Sequence, residues 1–221
     1  MKNKERHINH AARKTTVLIG ILLAFAGFEH GLFESLQGNK PAEGFIIQAI
    51  GDDIQFWVHG TEEAFTLIPN FLITGILAMA VSIFIMIWTV RFIHRRYGVM
   101  VFLLLFILLT LVGGGIGFVI FYLVTSAYAN RIRRPLTRWK KLLSGKFGAA
   151  MSRLWRPSLT VITLAWLIAL EIAVFGYFPG INNPGTLLAV CWSMLLVAFL
   201  FIHIAYISAF AKDIADKDEA E

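Results

Sequence analysis

Long apolar runs broken by short, strongly basic segments constrain this chain more than any other feature. A helix needs roughly 20 apolar residues to cross the hydrocarbon of a bilayer. Four runs meet that length directly, at 16–36, 65–90, 158–178 and 186–211. Only 15% of the residues are charged and 57% are hydrophobic, where a soluble domain carries about one-quarter charged residues. Folded in water, such a chain would expose too much apolar surface, so a bilayer is its expected solvent. The segments between the runs are too short to bury a core of their own, which points to one integral domain over 16–211. Cys191 is the only cysteine and sits within an apolar run. A disulfide framework, CxxC redox chemistry and cysteine-ligated zinc are thereby excluded within one chain.

The region 97–130 is too long for one comfortable span and rather short for two. The charges decide between them. Lys2, Lys4, Arg6, Arg13 and Lys14 lie in the tail 1–15, and Arg91, Arg95 and Arg96 follow the second run. Nine more cations lie in the connection 131–157, which has no acidic residue. The positive-inside bias places all three segments in the cytoplasm. A single crossing over 97–130 would put the connection outside. A hairpin with spans at 97–112 and 116–130 avoids the conflict, and Gly113, Gly114, Gly115 and Gly117 supply its turn, since glycine tolerates positive φ. The alternative use of these glycines is a close packing face on one long tilted span.

The expected fold is therefore an all-α integral membrane protein with six transmembrane helices, including a short Gly-rich helical hairpin, and with both termini cytoplasmic. The loop 37–64 faces outside and carries Glu43, Asp52, Asp53, Glu62 and Glu63 against Lys40; the tail 212–221 is acidic. A competing reading of the N-terminus takes Ala24-Phe25-Ala26 as a signal-peptidase site, which would leave five spans. Within the connection, Leu136, Trp139, Leu143, Phe147, Met151, Leu154 and Trp155 recur at helical spacing among the cations. That pattern reads as an interfacial amphipathic helix lying on anionic inner-leaflet lipids over 131–156. The pI near 9.6 would suggest nucleic acid in a soluble protein. Here the cations flank spans, so membrane orientation explains them and no nucleic-acid partner is expected.

Ionisable residues inside spans cost a few kcal/mol at the bilayer centre unless paired or wetted, which makes them pointers to function. On this topology Glu29, His30 and Glu34 lie in the outer half of the first span and Glu171 at a similar depth in the fifth. His30 and Glu34 share a helix face. The loop adds His59, Glu62 and Glu63 beside the second span. Glu29, His30, Glu34 and Glu171 form a candidate ligand or proton cluster, and His30, Glu34, His59, Glu62 and Glu63 could supply mixed imidazole and carboxylate ligands to a divalent metal. The structural alternative is helix pinning by hydrogen bonds for the first set and ordinary solvated positions for the loop residues. His203 reads as a packing residue in the sixth span, and its depth differs from that of His30, which argues against paired haem ligands.

Residues 29 and 30 read Glu-His, so the HExxH ligand pair of zincins is absent. Walker, GxSxG and dinucleotide fingerprints are missing too, because Gly113–Gly117 lies between membrane helices rather than after a strand. The segment Leu111-Val112-Gly113-Gly114-Gly115-Ile116-Gly117, after Leu67-Ile68-Pro69-Asn70 and a basic break, resembles uncharacterised small multi-pass membrane proteins of bacteria over Ala64 to Arg134. The resemblance implies the bacterial cytoplasmic membrane and carries no assigned reaction. The favoured function is binding or transport of a cation, proton or small ligand through the Glu and His cluster. A sensor, interaction or assembly subunit, acting with a membrane partner or as a homo-oligomer, is the first alternative, and an intramembrane metalloenzyme the second.

Overall fold

The structure, a computed structural model, describes residues 8–219. Lys2, Lys4 and Arg6 of the basic tail and Ala220 and Glu221 of the acidic one lie outside the described residues. The molecule is predominantly helical: α1 (His10–Leu36), α2 (Phe71–Phe92), α3 (Gly98–Leu111), α4 (Val119–Ala129), α5 (Thr137–Leu142), α6 (Gly145–Arg153), α7 (Trp155–Phe175) and α8 (Pro184–Asp218). Of these, α1, α2, α7 and α8 are long and apolar enough to cross a membrane. The hairpin helices α3 and α4 are shorter, with 14 and 11 residues. At 1.5 Å per residue they reach only about 21 Å and about 16 Å, less than the hydrocarbon thickness of about 30 Å. Apolar side chains such as Ile76, Phe84, Leu104, Trp192 and Leu196 stay exposed along the bundle, as expected of surfaces solvated by lipid.

Several boundaries differ from those set by hydropathy, each for a local reason. The second apolar run opens at residue 65, but α2 starts at Phe71. Phe65 belongs instead to β2 (Glu63–Phe65), which pairs antiparallel with β1 (Ile46–Gln48) in the register Ile46 to Phe65. Asn70 then caps the helix, its side chain accepting from Ile73 N at 3.0 Å. The loop 37–64 thus contains a small two-stranded sheet that hydropathy alone does not announce. Gly176, at φ +61°, ends α7 in the left-handed conformation. α8 begins behind the Asn183 cap and runs 35 residues, straight through most of the tail 212–221.

The basic connection forms two short helices rather than one continuous amphipathic helix. Ser144 is extended and Gly145 has φ +61°, which breaks the helix between α5 and α6. Leu136 and Leu143 are buried in the main core, and the Trp139 ring packs 5.0 Å from Phe210 of α8. Trp155 opens α7 and donates its indole N–H to Thr15 Oγ1 at 3.0 Å.

Contacts define the two ends of the bundle. At one end the α3–α4 turn joins the loop sheet: Thr66 and Val112 form a bridge, Gly113 N donates to Phe65 O at 3.0 Å, and Thr74 Oγ1 donates to Val112 O at 2.8 Å. At the other end, the Asn9 amide donates to the carbonyls of Arg131 at 2.6 Å and Arg134 at 2.9 Å, and Lys217 Nζ donates to Asn9 Oδ1 at 2.7 Å. The start of α1, the segment after α4 and the end of α8 therefore meet at the basic end.

Candidate functional site

The site is built on one stripe of α1. Gly27, His30, Gly31 and Glu34 recur at spacings of three and four, so they share a face, and all four are buried. Helix α2 approaches this face very closely: a Cβ on Gly31 would lie 2.6 Å from Gly75 O and 2.8 Å from Met79 N. Small residues permit such an approach, and in a bilayer close packing is a main source of helix association. The stripe's polar members are thereby held beneath the α3–α4 turn.

His30 is 5% exposed. Its ring stands edge-on to Phe118 at 5.4 Å between centroids, and its Nε2 meets the carboxylate of Glu62, a contact that becomes an ion pair when the imidazole is protonated. Glu62 arrives from the loop, immediately before β2. Burial works against the charge on Glu62, but the adjacent His30, when protonated, more than offsets it and holds the carboxyl below the usual carboxylate range. Glu29, half-buried, lines a cavity of about 10 Å³ with His30, Glu62, Phe33, Ile50 and Val174. That volume is room for about one water molecule. Charge–charge interactions also link Glu29 to Glu62, His30 and Glu171.

Glu34, one turn beyond His30, is fully buried, and neither carboxylate oxygen has a hydrogen-bond partner among the described residues. Its carboxylate lies directly against Gly113, and His30 lies against Gly115, where an added Cβ would sit 2.9 Å from Nε2. A buried polar group left without a partner costs about 1–3 kcal/mol, so Glu34 requires a functional or structural explanation.

The loop that delivers Glu62 is well anchored. Gln37 Nε2 donates to Gln48 O at 2.9 Å and to Ala49 O at 2.8 Å, while the Trp57 indole donates to Ala173 O at 3.0 Å and covers Gly176. Phe56 packs 5.0 Å from Phe175. These contacts fix the loop across the ends of α1 and α7.

Of the residues singled out from sequence, the structure brings together Glu29, His30 and Glu62 around the cavity, with Glu34 on the same face against the glycine turn. Glu171 is exposed on α7 and joins the group only through its field at Glu29. His59 is exposed with its ring against Trp57, and Glu63 is exposed on β2. Among the described residues no group of three or more His, Cys, Asp or Glu is placed to hold a metal ion. His203 packs within the bundle, its Nδ1 3.0 Å from Phe199 O and its ring edge-on to Tyr128. Sequence reasoning did not couple Gly113 and Gly115 to Glu34 and His30. The only trace of that coupling is the Gly27-His30-Gly31-Glu34 periodicity, which marks a buried face without naming its partner.

In chemical terms, an imidazole in contact with one carboxylate, beside a second carboxyl group and a space for about one water, is a set of groups able to exchange protons. No protein-family model, no curated protein and no solved structure matches the chain.

Proposed function

We propose that this protein moves protons through the Glu29, His30, Glu62 and Glu34 cluster of a multi-pass membrane domain. The observation that carries the reading is the His30–Glu62 pair facing Glu29 across a cavity of about 10 Å³. That space suits a proton relayed by about one water and is far too small for an organic substrate. In the relay, water in the cavity exchanges a proton with Glu29, His30 and Glu62, and Glu34 receives it one helical turn nearer the outer end of α1.

The same reading places six crossings in a bacterial cytoplasmic membrane, with the basic end of the bundle in the cytoplasm and the relay near the outer surface. It is supported by the α3–α4 turn and the loop 37–64 meeting at one end while the basic segments meet at the other. Short hairpin helices are tolerated where the bilayer thins locally or where neighbouring helices bury them.

The test is proton flux into proteoliposomes that enclose a pH-sensitive dye, driven by an imposed potassium-diffusion potential. The expected outcome is flux by the wild type that falls at least about tenfold in His30→Ala, Glu62→Gln and Glu34→Gln, a loss of about 1.4 kcal/mol or more in the rate-limiting barrier. Thermal unfolding in detergent should stay close to wild type for Glu62→Gln, whose side chain is 27% exposed. Wild-type flux from a well-folded Glu62→Gln protein would rule the relay out.

A further inference from the structure

A second cavity, at the opposite end of the bundle from the relay, has a different chemistry. It measures about 300 Å³ and opens between the α2–α3 turn and the segment that follows α4. Arg95 and Arg96 line it from the turn, and Arg133 and Arg134 from the segment. Among the described residues none of these four arginines is ion-paired with a carboxylate. The cavity is not uniformly polar, because Val99 and Met100, in the first turn of α3, line it as well. The N-terminal end of α3 brings its positive dipole end beside the same space, with the Gly98 N–H already donating to Arg95 O at 3.0 Å.

The walls are held in place rather than free. Asn9 fixes the carbonyls of Arg131 and Arg134, and Gly98 O accepts from the Trp88 indole at 3.0 Å. His94, in the α2–α3 turn, senses the concentrated charge. Its pKa is lowered by burial first and then by the fields of Arg13, Arg95 and Arg133. The four guanidinium groups line one space with Arg95, Arg96 and Arg134 exposed and Arg96 also 5.1 Å over the Tyr97 ring, so an anion entering that space is attracted from two sides.

We infer that this cavity binds a phosphate-bearing anion, and specifically the headgroup of an anionic phospholipid. Guanidinium groups match phosphate oxygens in a bidentate fashion, and the four arginines flank the space from two sides. The apolar edge at Val99 and Met100 selects a phosphate with a hydrocarbon tail, since the tail continues along the lipid-exposed flank where Leu104 is exposed. Basic pockets between membrane helices on the cytoplasmic side take lipid headgroups in this manner. A bound lipid would brace the base of the α3–α4 hairpin, whose glycine turn covers His30 and Glu34.

Purified protein in neutral detergent, titrated with phosphatidylglycerol or phosphatidylcholine and read by native mass spectrometry, tests the site. The expected result is retention of phosphatidylglycerol about tenfold above phosphatidylcholine. The preference should fall below about twofold in Arg95→Gln/Arg134→Gln and persist in Arg138→Gln, a surface cation of α5 outside the cavity. Inorganic phosphate at millimolar concentration should leave the bound lipid in place. Equal retention of the two lipids, an unchanged preference in the double variant, or displacement by inorganic phosphate alone would each overturn the assignment.

Discussion

Gly117 has open space around it, whereas a Cβ on Gly113 would run into the Glu34 carboxylate and one on Gly115 into the His30 ring. The backbone reinforces the distinction, with φ +103° at Gly113 and +87° at Gly115 and no positive φ at Gly117. Alanine at either of the first two positions is strained and sterically blocked, and its cost should be about 1–3 kcal/mol. Thermal unfolding in detergent should therefore fall by several degrees for Gly113→Ala and Gly115→Ala and stay at the wild-type value for Gly117→Ala. Equal effects at all three positions would show that the turn, and not its contact with α1, sets the requirement. The sequence marks all four glycines as a turn. It cannot say which two also make room for charged side chains, because that depends on a helix some 80 residues away in the chain.

Among the elements, α1 and α8 show how an interaction remote in sequence completes a helix. The first N–H groups of any helix lack intrahelical partners, and the Asn9 side chain does not cap α1. Its amide is committed to the carbonyls of Arg131 and Arg134. Asp213 of α8 serves instead, with Oδ1 accepting from Ala11 N at 2.8 Å and Oδ2 from Ala12 N at 2.9 Å. The carboxylate also sits at the positive end of the α1 dipole. Asp213→Ala should cost about 1–2 kcal/mol, in the upper range for a lost N-cap. The change should appear as faster amide exchange at Ala11 and Ala12, measured by hydrogen–deuterium exchange, with the amides around Gly31 unaffected. The periodicity of 186–211 foretells a spanning helix, but nothing local foretells its extension as a cap for another helix. Lys212 and Asp216, paired at 2.6 Å one turn apart, help that extension stay helical.

For the molecule as a whole, the placement of the two ends is the decisive property. Cysteine replacing Arg138 should react with an impermeant maleimide only from the cytoplasmic side, and cysteine replacing Lys40 only from outside, both in a Cys191→Ala background. Labelling of the Arg138 position from outside would refute the six-crossing arrangement and the outer position of the relay together. The class of the molecule and four of its helices follow from the sequence alone, because apolar length and period are local properties and every backbone group in a bilayer must be satisfied within its own helix. The meeting of Glu62 with His30, the burial of Glu34 against Gly113 and the gathering of arginines around one cavity were decided only by the tertiary structure. Each joins segments whose separation along the chain carries no periodic signal. Their positions follow from close packing at Gly31 and Gly75 and from a loop whose strand β2 accepts hydrogen bonds from the hairpin turn at Gly113 N and Ile116 N.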